Sequence, residues 1–214
     1  MSKLILWGAG GHARSVTDIT HALKEFEEVV FVDDDPSRLG MISCGVRIAG
    51  NSSDLEALSQ DGFDHLTVTI GDNRTRAACF ARARHLGFIP ATLIHPTVWI
   101  SPHCRIGAGT VVLPYSAVSP DAVIGENCIL NYNALIGHDC RVGDHAHVSA
   151  GTILAGGVSV GSLAMVGIGC RVAPGISIGE GAIVALGSVV AKPVPAGYIM
   201  AGSPGRAIRQ RNND

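Results

Sequence analysis

From Ile94 to Val190 an aliphatic residue returns at every sixth position without a slip, as in Ile100, Ile106, Val112, Val118 and Ile124. A helix would need a period of 3.6 residues and a half-buried strand a period of two. A strict six fits a short strand and a turn, repeated, with the aliphatic side chain pointing into a shared core: the hexapeptide pattern of a parallel β-helix. Two residues before each aliphatic sits a small or modest side chain, among them Cys104, Ser116, Cys128, Ala134, Cys140, Thr152 and Cys170. The position after it is often glycine, as at Gly107, Gly125 and Gly137. Three hexads to a coil would stack residues 18 apart at strand spacing, about 4.8 Å. Each coil then covers its neighbour's open backbone groups.

This repeat accounts for the 27 glycines, many of which fall at its turns. The formal charge of −2 and the absence of any basic run give no reason to expect nucleic acid or an anionic membrane as partner. Hydrophobicity is periodic rather than continuous, so no transmembrane stretch is expected. The apolar run after Lys3 is only Leu4 to Trp7, which does not make a signal peptide, and a cytoplasmic protein is the expectation. The six cysteines contain no CxxC pair, and four of them (Cys104, Cys128, Cys140, Cys170) occupy the small inward slot. Core packing is therefore expected of them, with no metal site and no disulfide.

The first third reads differently. Leu4-Ile5-Leu6-Trp7 is a buried strand followed by Gly8-Ala9-Gly10-Gly11-His12-Ala13. Ser15 to Phe26 has helical spacing, and a second strand, Val29 to Val32, ends in Asp33-Asp34-Asp35-Pro36. Ser53-Asp54-Leu55-Glu56 looks like a helix start, and a third strand, His65 to Ile70, ends in Gly71-Asp72-Asn73-Arg74 before a helix over 74–86. This is a βαβ arrangement with a glycine-rich first turn and an acidic end to its second strand, half of a doubly wound domain. The match to G-x-G-x-x-A invites a dinucleotide and hence an NAD-dependent oxidoreductase, but the segment holds only half the fold that cofactor needs. A nucleotide-sugar site fits better, with close backbone approach at Gly8 and Gly10 and a carboxylate from Asp33 or Asp34 accepting from base or ribose. The plainer reading is that the glycines make a tight turn and the aspartates cap a loop.

Within the repeat, polar residues gather in one block, Asn131 to Val148. His138 follows the aliphatic Ile136 by two and so points away from the core, with Asp139 beside it. An imidazole can take the proton that a reacting group gives up, and a neighbouring carboxylate can support it. Adjacent strand residues point to opposite faces, so contact between the two requires a turn here. One coil beyond His138 is Gly156, where a bare backbone N–H could meet the developing oxyanion. Ile168 and Leu186, themselves 18 apart, form a column on the wall. The block offers no nucleophile, since Cys140 is in the inward slot.

The repeat resembles that of the hexapeptide acyltransferase family, which implies a left-handed coil and a homotrimer with each active site between two subunits. Gly10-Gly11-His12, Phe31-Val32-Asp33-Asp34, Ile70-Gly71-Asp72-Asn73 and Ile94-His95-Pro96 are similar to the bacterial acetyltransferases of nucleotide-activated amino sugars. That subfamily also includes sialic-acid acetyltransferase-like proteins. The resemblance implies a nucleotide-sugar site at Gly10, Gly11, His12, Asp33, Asp34 and Gly71. Through N-x-x-A-x-I-x-H-D it implies His138 as catalytic base and Asp139 as the residue that raises its basicity. It assigns Gly156 and His147 to acetyl-CoA, with Ile168 and Leu186 lining the pantetheine channel. Ala201 to Arg206 looks like the family's tail signature near the CoA nucleotide, with Gly205 in place of the usual Ala. The expected organisation is a nucleotide-sugar-binding βαβ domain over 1–90, a left-handed β-helix acyltransferase domain over 91–195, and a tail over 196–214. The expected activity is transfer of acetyl from acetyl-CoA to the amine of a nucleotide-linked 4-amino-4,6-dideoxy sugar for surface glycan synthesis. Its rivals are O-acetylation of a sialic-acid-type sugar and a non-catalytic nucleotide-sugar-binding protein.

Overall fold

The computed structural model describes residues 2–210, which fall into two compact units, one ending at Pro96 and the other beginning at Thr97. The first is built on β1 (Ser2–Trp7), whose Leu4, Ile5 and Leu6 are fully buried. Then follow α1 (Gly11–Leu23), β2 (Phe26–Val32), β3 (Ile42–Ser43), β4 (Val46–Gly50), α2 (Leu55–Gln60), β5 (Phe63–Val68), α3 (Asn73–His85) and β6 (Ile89–Pro90). The sheet order is β3-β4-β2-β1-β5-β6, parallel throughout except for the β3–β4 hairpin. The chain reverses direction across the sheet between β1 and β5, the switch point where such sheets open a crevice.

Three details differ from the sequence reading. Helix α1 starts at Gly11 rather than Ser15, because Gly10 is extended and serves as its N-cap. It ends at Leu23, where Lys24 turns left-handed at φ 54° and its N–H closes on Thr20 O, so Phe26 opens β2 instead of lying on the helix. The strand read as His65 to Ile70 is Phe63–Val68. The β3–β4 hairpin carries no periodic signal in its two-residue first strand and was not anticipated.

The second unit stacks short strands into three parallel sheets. One holds 99–100, 117–118, 135–136, 153–154, 171–172 and 189–190; a second holds 105–106, 123–124, 141–142, 159–160 and 177–178. The third runs from 111–112 through 129–130, 147–148, 165–166 and 183–184 to Tyr198–Ala201 and the antiparallel Arg206–Gln210. Register is 18 residues within the coils, as Ala117↔Leu135↔Ile153 and His147↔Met165 show. The aliphatic column is buried from Val112 onward, while Ile100 and Ile106 are half-buried. The inward slot holds Cys128, Cys140 and Cys170 fully buried and Cys104 half-buried. These side chains do more than fill space: Thr110, Ser116, Cys128, Cys140, Thr152 and Cys170 each donate to the carbonyl 15 residues ahead, at 2.7–3.2 Å. Burial pushes the Cys140 and Cys170 thiols up, which keeps them protonated and unreactive. No helix among the described residues is long and apolar enough to cross a membrane.

Candidate active site

In the first unit the glycine-rich turn bends because Gly8 takes φ +110°, where an added Cβ would meet Ile70 Cγ1 at 2.8 Å. Thr69 ties the two strand ends together, its hydroxyl donating to Gly8 O at 2.7 Å. A cleft of about 370 Å³ opens over this junction, lined by Trp7, Gly8, Gly10, Asp33, Asp34, Arg38, Thr69, Ile70, Gly71 and Thr75. Gly10 and Gly71 face open space, so neither blocks the cleft. Of the six residues expected to hold a nucleotide sugar, four therefore line one cleft: Gly10, Asp33, Asp34 and Gly71. Gly11 lies in a neighbouring hollow of about 280 Å³ with Ala9, Gly10, Arg14, Arg38, Met41, Ile42, Ser43 and Ile48.

The two aspartates have different positions. Asp33 Oδ2 accepts from Ala9 N at 2.7 Å and from Arg38 Nη1 at 3.1 Å, while Oδ1 accepts from Asp35 N at 2.9 Å. It clamps the glycine-rich turn to the end of β2. Asp34 Oδ1 accepts from Ser52 N at 2.7 Å and its carboxylate is the more accessible to a ligand. Ser52 in turn is gripped by Arg82 at 2.8 Å, whose guanidinium also lies 5.6 Å from the centre of the Trp7 ring. His12 lines neither hollow. Its Nε2 is buried without a hydrogen-bond partner, and burial, reinforced by the Arg76 charge, pushes its pKa down to about 4. Arg38, which borders both hollows, was missed by the sequence reading; the only trace of it is a cation five residues after Asp33.

In the second unit His138 leaves the strand Leu135–Ile136 at a corner. Asp139 takes φ +58°, and this turn brings its Oδ2 to 2.7 Å from His138 Nδ1. Both side chains are well exposed, at 70% and 65%. The next coil places Gly156 against the imidazole: a Cβ there would come within 2.5 Å of His138 Cε1, so any side chain would displace the ring. The Gly157 N–H donates to His138 O at 2.8 Å and fixes the spacing. His147 lies on another sheet, where its Nε2 is 3.4 Å from Asn131 Nδ2. Ile168 and Leu186 are stacked through Gly187 N–H to Ile168 O at 2.7 Å and are 62% and 77% exposed. They follow strands of the sheet that carries His147, whereas His138 and Gly156 follow strands of a different sheet. One chain thus supplies an imidazole–carboxylate corner and an apolar corner without joining them. Among the described residues no group of three or more His, Cys, Asp or Glu side chains could hold a metal.

Comparison with known proteins bears on both units. Residues 3–83 match the PglD N-terminal domain family, and residues 103–138 and 121–156 match the bacterial transferase hexapeptide (six repeats). No curated protein sequence matches the chain. A mutant of perosamine N-acetyltransferase from Caulobacter crescentus, solved in complex with CoA and GDP-perosamine, is 37% identical over 98% of both chains with a TM-score of 0.93. The acetyltransferase domain of PglB from Neisseria gonorrhoeae, solved also with acetyl coenzyme A, is 33% identical. Without that ligand it covers 97% of this chain and 100% of its own, with a TM-score of 0.91. WeeI from Acinetobacter baumannii AYE, at 24% identity, 97% and 100% coverage and a TM-score of 0.88, shares the fold.

Proposed function

The chain belongs to the hexapeptide-repeat sugar acetyltransferases, and from that premise we propose that it moves acetyl from acetyl-CoA to the amine of a nucleotide-linked 4-amino-4,6-dideoxy sugar. The observation that carries this reading is the His138 imidazole, held by Asp139 at Nδ1 and seated against a glycine that has no side chain to intervene. With Nδ1–H donated to the carboxylate, Nε2 is the free lone pair. The sugar amine attacks the thioester carbon, and Nε2 takes the proton the nitrogen loses. Asp139 stabilises the imidazolium so formed. The Gly156 N–H offers the oxyanion a hydrogen bond as the tetrahedral centre forms. Collapse breaks the C–S bond, and the proton passes from His138 to the departing thiolate, giving the amide and CoA. No acyl-enzyme is needed, and Cys140, buried and protonated, could not form one.

Gly10, Gly11, Asp34 and Gly71 hold the nucleotide sugar in this reading, with Asp33 shaping the turn and His12 packed behind it. His147 meets the thioester end of CoA, Ile168 and Leu186 flank its pantetheine arm, and the tail after residue 195 lies near its nucleotide. The two corners separated within one chain would be joined by a neighbouring copy in a homotrimer. The Caulobacter relative's GDP-perosamine and CoA support both the donor and the class of acceptor. The setting is cytoplasmic surface-glycan assembly. The test is thiol release from acetyl-CoA in the presence of a panel of nucleotide amino sugars, with the product followed by mass. An acetylated amine is expected, and His138→Ala should lower turnover on the order of 10²–10⁴-fold. Wild-type turnover in that variant would remove His138 from the mechanism, and acetylation of a hydroxyl alone would favour a sugar O-acetyltransferase.

A further inference from the structure

We propose that the buried Cys140 thiol is a positioning residue for the transfer: it draws the Ala155 carbonyl into the core and so turns the Gly156 N–H of the same peptide outward, toward the oxygen that becomes the oxyanion. This rests on the reading of the chain as an acetyltransferase that uses His138 and the Gly156 amide. Cys140 is fully buried in the inward slot, and its Sγ donates to Ala155 O at 3.1 Å. In a planar trans peptide the C=O and N–H point in opposite directions, so a carbonyl held inward sends its N–H out of the coil. Gly137 bears on the same peptide from the preceding coil, where an added Cβ would meet Ala155 C, Gly156 N and Leu154 O, each at 2.8 Å. The base stands beside this peptide, because the place of a Gly156 Cβ is against His138 Nε2.

Other rungs show what an outward amide takes. Thr110 and Ser116 hold the Gly125 and Asn131 carbonyls inward at 2.9 and 2.8 Å. The N–H that follows each is met by a side-chain oxygen: Glu126 N donates to Asp144 Oδ1 and Tyr132 N to Asn131 Oδ1, both at 2.8 Å. Among the described residues the Gly156 N–H meets no acceptor, which leaves it for the oxygen of the acyl group. As the amine adds, the C=O π pair moves onto that oxygen, which accepts from the Gly156 N–H and returns the pair when the C–S bond breaks. Neither donor gives up its proton. The thiol's bond to Ala155 O also polarises the peptide and strengthens its N–H as a donor.

The experiment compares Cys140→Ala and Cys140→Ser with the wild type in steady-state acetylation of the nucleotide amino sugar that the chain accepts. Alanine is at home in the slot, where Ala134 and Ala146 are buried, so Cys140→Ala folds but lacks the donor. Its kcat should fall roughly tenfold, part of the loss on the order of 10²–10³ that follows outright removal of an oxyanion donor, with KM for both substrates unchanged. The pH profile of kcat should keep its shape, since His138 is untouched. Cys140→Ser should restore most of the wild-type kcat, because Ser116 and Thr152 already span the same gap with a hydroxyl, at 2.8 and 2.7 Å. Cys128→Ala, which loses the matching bond to Gly143 O, should lower the denaturation midpoint as much and leave kcat as it was. Wild-type kcat in Cys140→Ala, a Cys140→Ser as slow as Cys140→Ala, or an equal loss of turnover in Cys128→Ala would each overturn the assignment even with acetylation intact. A wild-type chain that acetylates no nucleotide amino sugar would overturn the functional reading instead.

Discussion

Asp139 reaches its neighbour's ring through a single left-handed dihedral. Positive φ recurs at Asn127, Asn133, Asp139, His145, Gly151 and Gly157, the same slot of each hexad, so the turn belongs to the scaffold and the carboxylate is what this rung adds to it. Asp and Asn tolerate that conformation better than most residues. The sequence offered the pairing only on condition of a turn, because strand alternation argues against it, and the left-handed Asp139 is that turn. Gly156 was legible, since 18-residue stacking puts it over His138. Gly156→Ala should therefore swing the imidazole aside and cut turnover on the order of 10²-fold, with thermal stability little changed; wild-type kcat would show the contact to be incidental. His12 makes a separate prediction. Its folded pKa of about 4 lies below its ordinary 6.5, so between those values the unfolded chain binds a proton that the folded chain refuses. Stability is whole above pH 6.5 and declines as pH falls toward 4, by about 3 kcal/mol in all. Denaturant midpoints at pH 7 and pH 5 should show this loss in the wild type and a smaller one in His12→Gln; equal slopes would discount the buried imidazole as its source.

Among the elements, the period-six strands were the most legible and the α/β boundaries the least. The hexad signal repeats, so each coil corroborates the next, whereas α1 is a single helix whose start depends on whether Gly10 and Gly11 form a turn or a cap. Here they do both: Gly10 is the cap and Gly11 the first helical residue. The thiol and hydroxyl donors of the inward slot were read as filler, because their hydrogen bonds cross to a carbonyl 15 residues away. Glycine after the aliphatic is required where coils touch. At Gly161 a Cβ would meet Glu180 N at 2.5 Å, while Ala173 holds the corresponding place after Val172. Gly161→Ala should cost about 1–3 kcal/mol in chemical denaturation. No change in midpoint would mean that the coils part easily at that corner.

At the scale of the whole molecule, the division into two chemically different units was visible in the change from mixed helix and strand spacing to a strict six. That His138 and the Ile168–Leu186 column belong to different corners also follows from counting, since positions 138 and 168 are 30 residues apart, which is not a whole number of 18-residue coils. The outward face carrying Trp99, Leu135 and Ile153 is 57%, 41% and 38% exposed in a single chain, which is a large apolar surface to leave wet. Sedimentation equilibrium is expected to give three times the 22.1 kDa chain mass, and Leu135→Glu should lower that mass and the acetylation rate together. A fully active species of one chain mass would rule out a shared site.

The eighteen-residue register makes the second unit a spiral staircase whose steps are counted in sequence. Excising one full storey below Leu130 would lower His138 by about 4.8 Å and leave its compass bearing untouched. Removing a single hexad there would swing it, together with Asp139 and Gly156, through roughly a third of a revolution relative to the coils that precede it. Length changes in such a chain are therefore quantised, and its chemistry can be relocated along the axis only by whole storeys.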